Sequence, residues 1–427
     1  MSTKTWLSQA AIFDQNDPLK SCRDLFHIPL HQGEEVAYFT GNSLGLQPKT
    51  ARGYVEKVMK DWERMGVEGH FYSDEPWWEY HERLAAPLAG IVGAKTSEVS
   101  VMNTLTVNLH FLMVSFYRPQ GKRFKILCEE KAFPSDQYML QSQLRFHGYD
   151  PKEALIEVPK RAGEDFWREA DILEAIETHG ETLALVLMGG LNYYNGQVLP
   201  MASITAKAKE IGAFVGWDLA HAAGNIPLDL HKWGVDFASW CSYKYLNSGP
   251  GNAAAIYVHE QYHNRTDLPR FEGWWGTDKG LRFKMQDSFV PMKNADAWQL
   301  SNASILSMAP FLASLEIFQS IGMNALWKKQ QKLVVFLEQV IQEIGNQSSM
   351  EIRILTPKQR GSQLSVYFGS QGREIFNALM SKGIVTDWRE PNVMRFAPVP
   401  LYNSFGDIAR LATGLEEAIK ETSNKNI

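Results

Sequence analysis

The chain has 427 residues, 44% of them hydrophobic and 21% charged, with a formal net charge of -5. That length holds one large domain and a smaller one, or two to three ordinary ones, and the composition is globular. A mildly acidic balance makes no electrostatic case for nucleic acid or a membrane surface, and no apolar run approaches the ~20 residues of a membrane span. Cys22, Cys128 and Cys241 are scattered and odd in number, with no paired spacing for zinc; a reducing compartment fits them. No sustained apolar stretch precedes Asp14, so no signal peptide is read there and a cytoplasmic protein is expected.

Residues 1–48 mix short helical patches with the loop Y-F-T-G-N-S-L-G-L-Q-P-K (Tyr38 to Lys49), whose Gly41, Asn42 and Gly45 are turn formers. Amphipathic helices are expected over Thr50–Met65 and Pro76–Val92. Then the rhythm changes. Short apolar runs stand at Val99–Asn103, Phe124–Glu129, Leu183–Met188, Ala213–Asp218, Asp236–Trp240 and Ala253–Val258. Helical segments separate several of them, at Val107–Tyr117, Ser135–Phe146 and Met201–Ile211. Strands that are apolar throughout and alternate with helices form a mostly parallel sheet covered on both faces, an α/β fold.

After about residue 300, long helices over Ile305–Ser320 and Asn324–Gly345 lead into strand-like pieces at Glu351–Leu355, Gln363–Phe368 and Val393–Ala397. Helices are expected at Arg373–Ser381 and Phe405–Thr422. The expected organisation is an N-terminal arm (1–48) serving the small domain and the active site, a large domain (49–300), and a small C-terminal α+β domain (301–427). The tail S-N-K-N-I is expected to fray.

In such sheets ligands sit beyond the carboxyl ends of the strands. Tyr243 and Lys244 follow the Asp236–Trp240 run and precede the small-residue loop ending in Gly249-Pro250-Gly251. An amine set among aromatic and apolar residues is desolvated, which makes it a usable nucleophile toward a carbonyl. The Ala213–Trp217 run ends in Asp218-Leu219-Ala220-His221, and residues three apart share the face of a turn. A buried carboxylate needs a cationic partner. The protonated nitrogen of pyridoxal phosphate would be one. Thr104-Leu105-Thr106 opens a helix; threonines there are ordinary N-caps, but free N–H groups and the helix dipole also make an anion site. Ala132-Phe133-Pro134-Ser135-Asp136 opens another, with Phe133 able to pack in a core or stack on a planar ring.

Longer motifs carry a family resemblance. They are Y-F-T-G-N-S-L-G-L-Q-P-K at 38–49, M-N-T-L-T-V-N-L-H at 102–110, K-A-F-P-S-D at 131–136 and V-G-W-D-L-A-H-A-A-G-N at 215–225. W-G-V-D-F-A-S-W-C-S-Y-K-Y-L-N at 233–247, R-F-K-M at 282–285, L-S-N at 300–302 and R-F-A-P-V-P-L-Y-N-S-F at 395–405 complete the set. The chain resembles the kynureninases, fold-type I pyridoxal-phosphate enzymes of the class V aminotransferase superfamily. The motifs cover most of its length.

The resemblance implies that Lys244 carries the cofactor and later moves protons at the substrate α-carbon, and that Asp218 holds the ring nitrogen with Asp136 and His221 beside it. It puts Phe133 on the ring, with Pro134 and Ser135 following, and Leu105, Thr106 and Tyr243 in the pocket and phosphate cup. Trp274 and Asn302 would reach it from the neighbouring subunit of a homodimer. Arg395 would clamp the α-carboxylate, while Ser43, His70 and Asn302 face the aromatic amine end. The implied reaction is hydrolytic Cβ–Cγ cleavage of kynurenine or its 3-hydroxy form to anthranilate, or 3-hydroxyanthranilate, plus alanine. Tyr243 is the candidate acid–base group for the later proton steps. His70, Ser301 and Asn302 resemble the branch that handles the 3-hydroxy substrate. One departure stands at Met188-Gly189-Gly190, where family members often carry a hydroxyl in place of Gly189; altered cofactor affinity is expected. The rivals are another class V activity such as cysteine desulfuration, and a non-catalytic scaffold that kept the fold.

Overall fold

The structure, a computed structural model, describes residues 3–424. The helix Phe405–Asn424 runs to the end of that range, and the rest of the expected frayed tail, residues 425–427, lies outside the described residues. Helix α1 is Thr3–Gln15, α2 Ala51–Met65 and α3 Glu82–Val92. The central sheet is built from β1 Val99–Val101, β2 Lys125–Glu129, β3 Leu155–Val158, β4 Leu183–Gly189, β5 Phe214–Asp218, β6 Phe237–Trp240 and β7 Ala255–Val258. Helices α4 Leu105–Phe116, α5 Pro134–Phe146, α6 Glu169–Thr178 and α7 Met201–Glu210 connect them.

The seven strands lie in the order β1-β7-β6-β5-β4-β2-β3. All run parallel except β7, antiparallel to both neighbours. The small-residue return after Lys244 brings the chain straight back without a crossover helix, which only an antiparallel strand permits. Val186, Leu187, Val215, Trp217 and Trp240 are buried, as a sheet covered on both faces requires. The edge strand β3 was not legible in the sequence. It is partly exposed, and it follows a one-turn helix at Pro151–Ala154 that Asp150 caps by accepting the Lys152 N–H at 3.0 Å.

Helices α8 Ile305–Ile321 and α9 Met323–Gln347 lead to a four-stranded antiparallel sheet of β8 Arg353–Ile354, β9 Leu364–Tyr367, β10 Asp387–Arg389 and β11 Val393–Phe396, ordered β8-β9-β11-β10. Helices α10 Gly372–Ser381 and α11 Phe405–Asn424 cover it. The N-terminal arm belongs to this unit: Trp6, Ala10, Ala37 and Phe39 share its core with Leu337, Phe396 and Leu411, and Ala37–Tyr38 pairs in parallel with Ile384–Val385. Met308, Phe311, Leu312 and Leu315 of α8 instead join the core of the large unit with Leu84 and Trp240. The change of core therefore comes on α9, after the boundary read at residue 301. Among the described residues no single helix is long and apolar enough to cross a membrane.

Candidate active site

The carboxyl ends of β2, β4, β5 and β6 open on one cleft of about 610 Å³, roofed by the N-terminal arm and the small sheet. Ser43, Leu105, Thr106, Phe133, Ser135, Asp136, Asp218, His221, Tyr243, Lys244 and Arg395 all line it. Strand β5 ends on Asp218, whose Oδ1 accepts the Ala220 N–H at 2.7 Å; the turn that follows carries His221 into the same cleft. Beyond β6 the chain is tied by Ser248, which donates to Ser242 at 2.6 Å. The arm is locked to the same turn by the Gly45 N–H, which donates to the Tyr243 carbonyl at 2.8 Å. A Cβ on Gly45 would lie 2.4 Å from the Lys244 carbonyl oxygen. Only glycine permits that approach.

The Lys244 ammonium lies 3.0 Å from His221 Nε2 and 5.9 Å from the centre of the Phe133 ring. Burial, then the charges of Lys244 and Arg395, push the His221 pKa well below its ordinary value. The ring is therefore neutral and accepts at Nε2, leaving its proton on Nδ1, which is buried without a partner. Asp136 is in hydrogen-bond contact with Asp218. Burial and that second carboxylate hold its pKa well above the ordinary range, so the pair keeps a proton between them. Asp136 Oδ1 is also buried and unpartnered.

At the far end Thr104 gives α4 no side-chain cap, so the first N–H groups of that helix stay free for an anion. Thr106 Oγ1 and Ser135 Oγ meet at 2.6 Å across the starts of α4 and α5. A half-exposed aromatic face, an acidic end with orphaned atoms, an amine and an anion cup fit pyridoxal phosphate. The residues, not the motif alone, provide for it.

Arg395, 1% exposed, is already engaged. Its Nε donates to Asp387 Oδ1 at 2.6 Å and one terminal nitrogen to both Asp387 Oδ2 and Ser43 Oγ (3.2 Å to the latter), while the other terminal nitrogen reaches the Tyr193 carbonyl at 2.6 Å. Burial raises the Asp387 carboxyl, but hydrogen bonds from Arg395 and Ser43 and the charge of Arg389 outweigh it and hold it below the usual range. The fork expected to clamp a substrate is thus turned onto Asp387. Arg389 lines the same cleft, 3.6 Å from Asp387, with a buried Nε that has no partner. Asn42, fully buried, donates to Gln363 and leaves its Oδ1 free in the cleft. Sequence reading named Asn42 only as a turn former and passed over Arg389, Glu129 and Tyr193. The one available hint was the first arginine in W-R-E-P-N-V-M-R, Arg389.

Other named residues stand elsewhere in this chain. Pro134 is the first residue of α5, where its fixed φ suits a helix start, and is not on the cleft wall. His70 packs edge-on against Trp77 and bonds the Val67 carbonyl at 3.0 Å. Trp274 donates to the Arg282 carbonyl, and Asn302 is exposed just past a bend at Ser301. Cys241, by contrast, lies just past β6 and lines the cleft, although its thiol is buried and burial raises its pKa.

Two other features are explained by structure alone. A hollow of about 850 Å³ between α1, α3 and α9 is lined by Asp17 and Lys329, which pair with each other at 2.8 Å. Glu98, His231 and His259 cluster at the opposite end of the sheet, but the two imidazoles stack at 5.1 Å and 14°. Near-parallel rings share no in-plane point at which a metal could meet both lone pairs.

Comparison with known proteins places these features in a family. Residues 326–415 match the family model described as Kynureninase C-terminal domain. The chain is 58% identical over 409 residues to the kynureninase of Christiangramia forsetii, covering 95% of this chain and 96% of that one. It is 57% identical over 418 residues to that of Flavobacterium psychrophilum (97% and 98%) and 50% identical over 418 residues to that of Myxococcus xanthus (97% of each). Its fold is similar to that of a C-DES mutant carrying glycine covalently linked to the PLP cofactor, with TM-score 0.77 and 18% identity over 90% of this chain and 96% of that one. The cysteine desulfurase CsdA of Escherichia coli gives TM-score 0.75 and 15% identity over 94% and 98%. At such identities the likeness speaks for fold alone.

Proposed function

The chain belongs to the kynureninase family, and from that premise we propose how its residues divide the work of a pyridoxal-phosphate-dependent hydrolase that cleaves a carbon–carbon bond. The substrate is an amino acid, L-kynurenine or its 3-hydroxy form, split between Cβ and Cγ to release alanine and the aromatic amine. Bound in the cleft, the cofactor supplies an electron sink for negative charge at the substrate α-carbon. Asp218 holds the proton on its ring nitrogen, and Phe133 covers the ring. Thr106, Ser135 and the free N–H groups of α4 take its phosphate.

Lys244 is the amine that would hold the cofactor, and it moves the proton at the substrate α-carbon; neutral His221 orients its Nζ through the 3.0 Å contact. Burial and the neighbouring Cys241 raise the Tyr243 pKa, so its hydroxyl keeps its proton and serves as an acid toward the departing fragments. Arg395, fixed on Asp387, sets the shape of the carboxylate end, and Arg389 and Asn42 offer it free polar atoms. Ser43 faces the aromatic amine from this chain's cleft, and Asn302 faces it from a second copy; His70, packed on Trp77, stands outside the cleft of its own chain. Trp274 and Asn302 reach the cleft from a second copy of the chain, which makes the active form a homodimer. Three buried, unpaired cysteines support a cytoplasmic setting, and the products suit tryptophan breakdown and NAD synthesis.

The observation that carries this reading is that Lys244 and Asp218 line one cleft with Phe133 beside them and the start of α4 at its end. The test is alanine release from kynurenine, 3-hydroxykynurenine and cysteine. Release from both kynurenines is expected. No release from the hydroxylated one sinks the branch reading, and release from cysteine alone favours desulfuration.

A further inference from the structure

The floor of the cleft holds one carboxyl that this chemistry leaves unused. Glu129 ends β2, is 2% exposed, and its oxygens accept the Gly189 N–H at 3.2 and 3.3 Å, with no basic side chain among the described residues bonded to it. Gly189 ends β4 and pairs with Asp218 on β5. Gly189 thus stands between Glu129 and Asp218 in the sheet. A Cβ on Gly189 would stand 3.1 Å from Glu129 Oε1, so the glycine lets the carboxyl sit there.

The groups facing Glu129 are Asp218 on β5, Asp136 at the head of α5, Glu157 on β3, and Tyr193 after β4, with Cys128 on its own strand. Lys244, the cation near the cluster, acts on Asp136. Three buried carboxyls this close do not all ionise near neutral pH. Burial pushes the Glu129 pKa up to about 7; backbone N–H groups offset part of the rise, and Asp218 and Glu157 add to it.

Resting on the cofactor reading above, we propose that Glu129 is a charge-balancing positioning residue: it stores a proton in the cofactor-free cleft and gives it up when a cationic ring nitrogen arrives at Asp218. The carboxyl O–H bond breaks, its electron pair stays on Glu129, and the proton goes to water. No oxidant or reductant is involved. The new negative charge then helps keep the ring nitrogen protonated.

Calorimetric titration of pyridoxal phosphate into cofactor-free protein near pH 7, in buffers of different ionisation enthalpy, counts the protons released. The wild type is expected to release up to about one proton more than the neutral isostere Glu129→Gln. Infrared spectra of the cofactor-free wild type should also show a protonated-carboxyl signal that Glu129→Gln lacks. Should that variant not fold, Gly189→Ser places a hydroxyl donor beside the ionised carboxylate and should also lower the proton release. Equal release in wild type and variants overturns the proposal while leaving the cofactor reading intact. Failure of pyridoxal phosphate to bind overturns both.

Discussion

Lys244 and His221 face each other across 3.0 Å, with the imidazole neutral and its Nδ1 free. The contact fixes where the amine points before substrate arrives. Replacing His221 by Ala removes one hydrogen bond, about 1 kcal/mol, and should weaken cofactor retention several-fold. The dissociation constant for pyridoxal phosphate, measured by fluorescence, checks this; unchanged retention assigns the contact no role.

On the proposed division of roles, Asp218→Asn removes the charge that would hold the ring-nitrogen proton. Breaking a buried charge pair costs about 3–5 kcal/mol, so kcat/KM should fall by roughly 10²–10⁴-fold. Because Asp136 touches Asp218, the loss in Asp136→Asn/Asp218→Asn should be less than the sum of the two single losses.

The two arginines separate by kinetics. Arg389→Met removes a free donor and should raise KM with little change in kcat. Arg395→Lys breaks the fork on Asp387 and should depress kcat as well, since a lysine is unable to make the bidentate pair. Equal effects on both parameters in the two variants would contradict this division.

Glu129 and Asp387 pull stability in opposite directions with pH. The folded-state pKa of Glu129, about 7, stands above its ordinary 4.5, so its contribution is complete below pH 4.5 and is lost as pH rises through about 7. Asp387 is held low, and its contribution is lost as pH falls through its folded-state value. Thermal melts of cofactor-free wild type against Glu129→Gln should therefore show the wild type losing Tm across pH 4.5–7 relative to the variant.

Trp274 and Asn302 do not line their own chain's cleft, so the role proposed for them requires a second copy of the chain. Mixing inactive Lys244→Ala with impaired Asn302→Ala subunits should restore activity, because a mixed dimer holds one site with both residues intact. No recovery after subunit exchange would put Asn302 outside the site.

The parallel sheet was legible because β2, β4, β5 and β6 are apolar throughout, and the site because its motifs stand where those strands end. What escaped was set by tertiary packing. The edge strand β3 is half solvated and reads as a turn, and α8 carries apolar residues that suit either core, so the boundary at 301 had no local signal. Glu129 looked like the polar end of a strand. Its meaning comes from Gly189 two strands-worth of chain away, and that of Arg389 from a fork that Asp387 had already occupied.

The most direct measurement is the visible absorption of the protein loaded with pyridoxal phosphate, before and after borohydride. A band that borohydride bleaches, and that Lys244→Ala lacks, is the expected result. A colourless protein, or a bleachable band that survives in Lys244→Ala, would contradict the assignment of Lys244 as the amine that carries the cofactor.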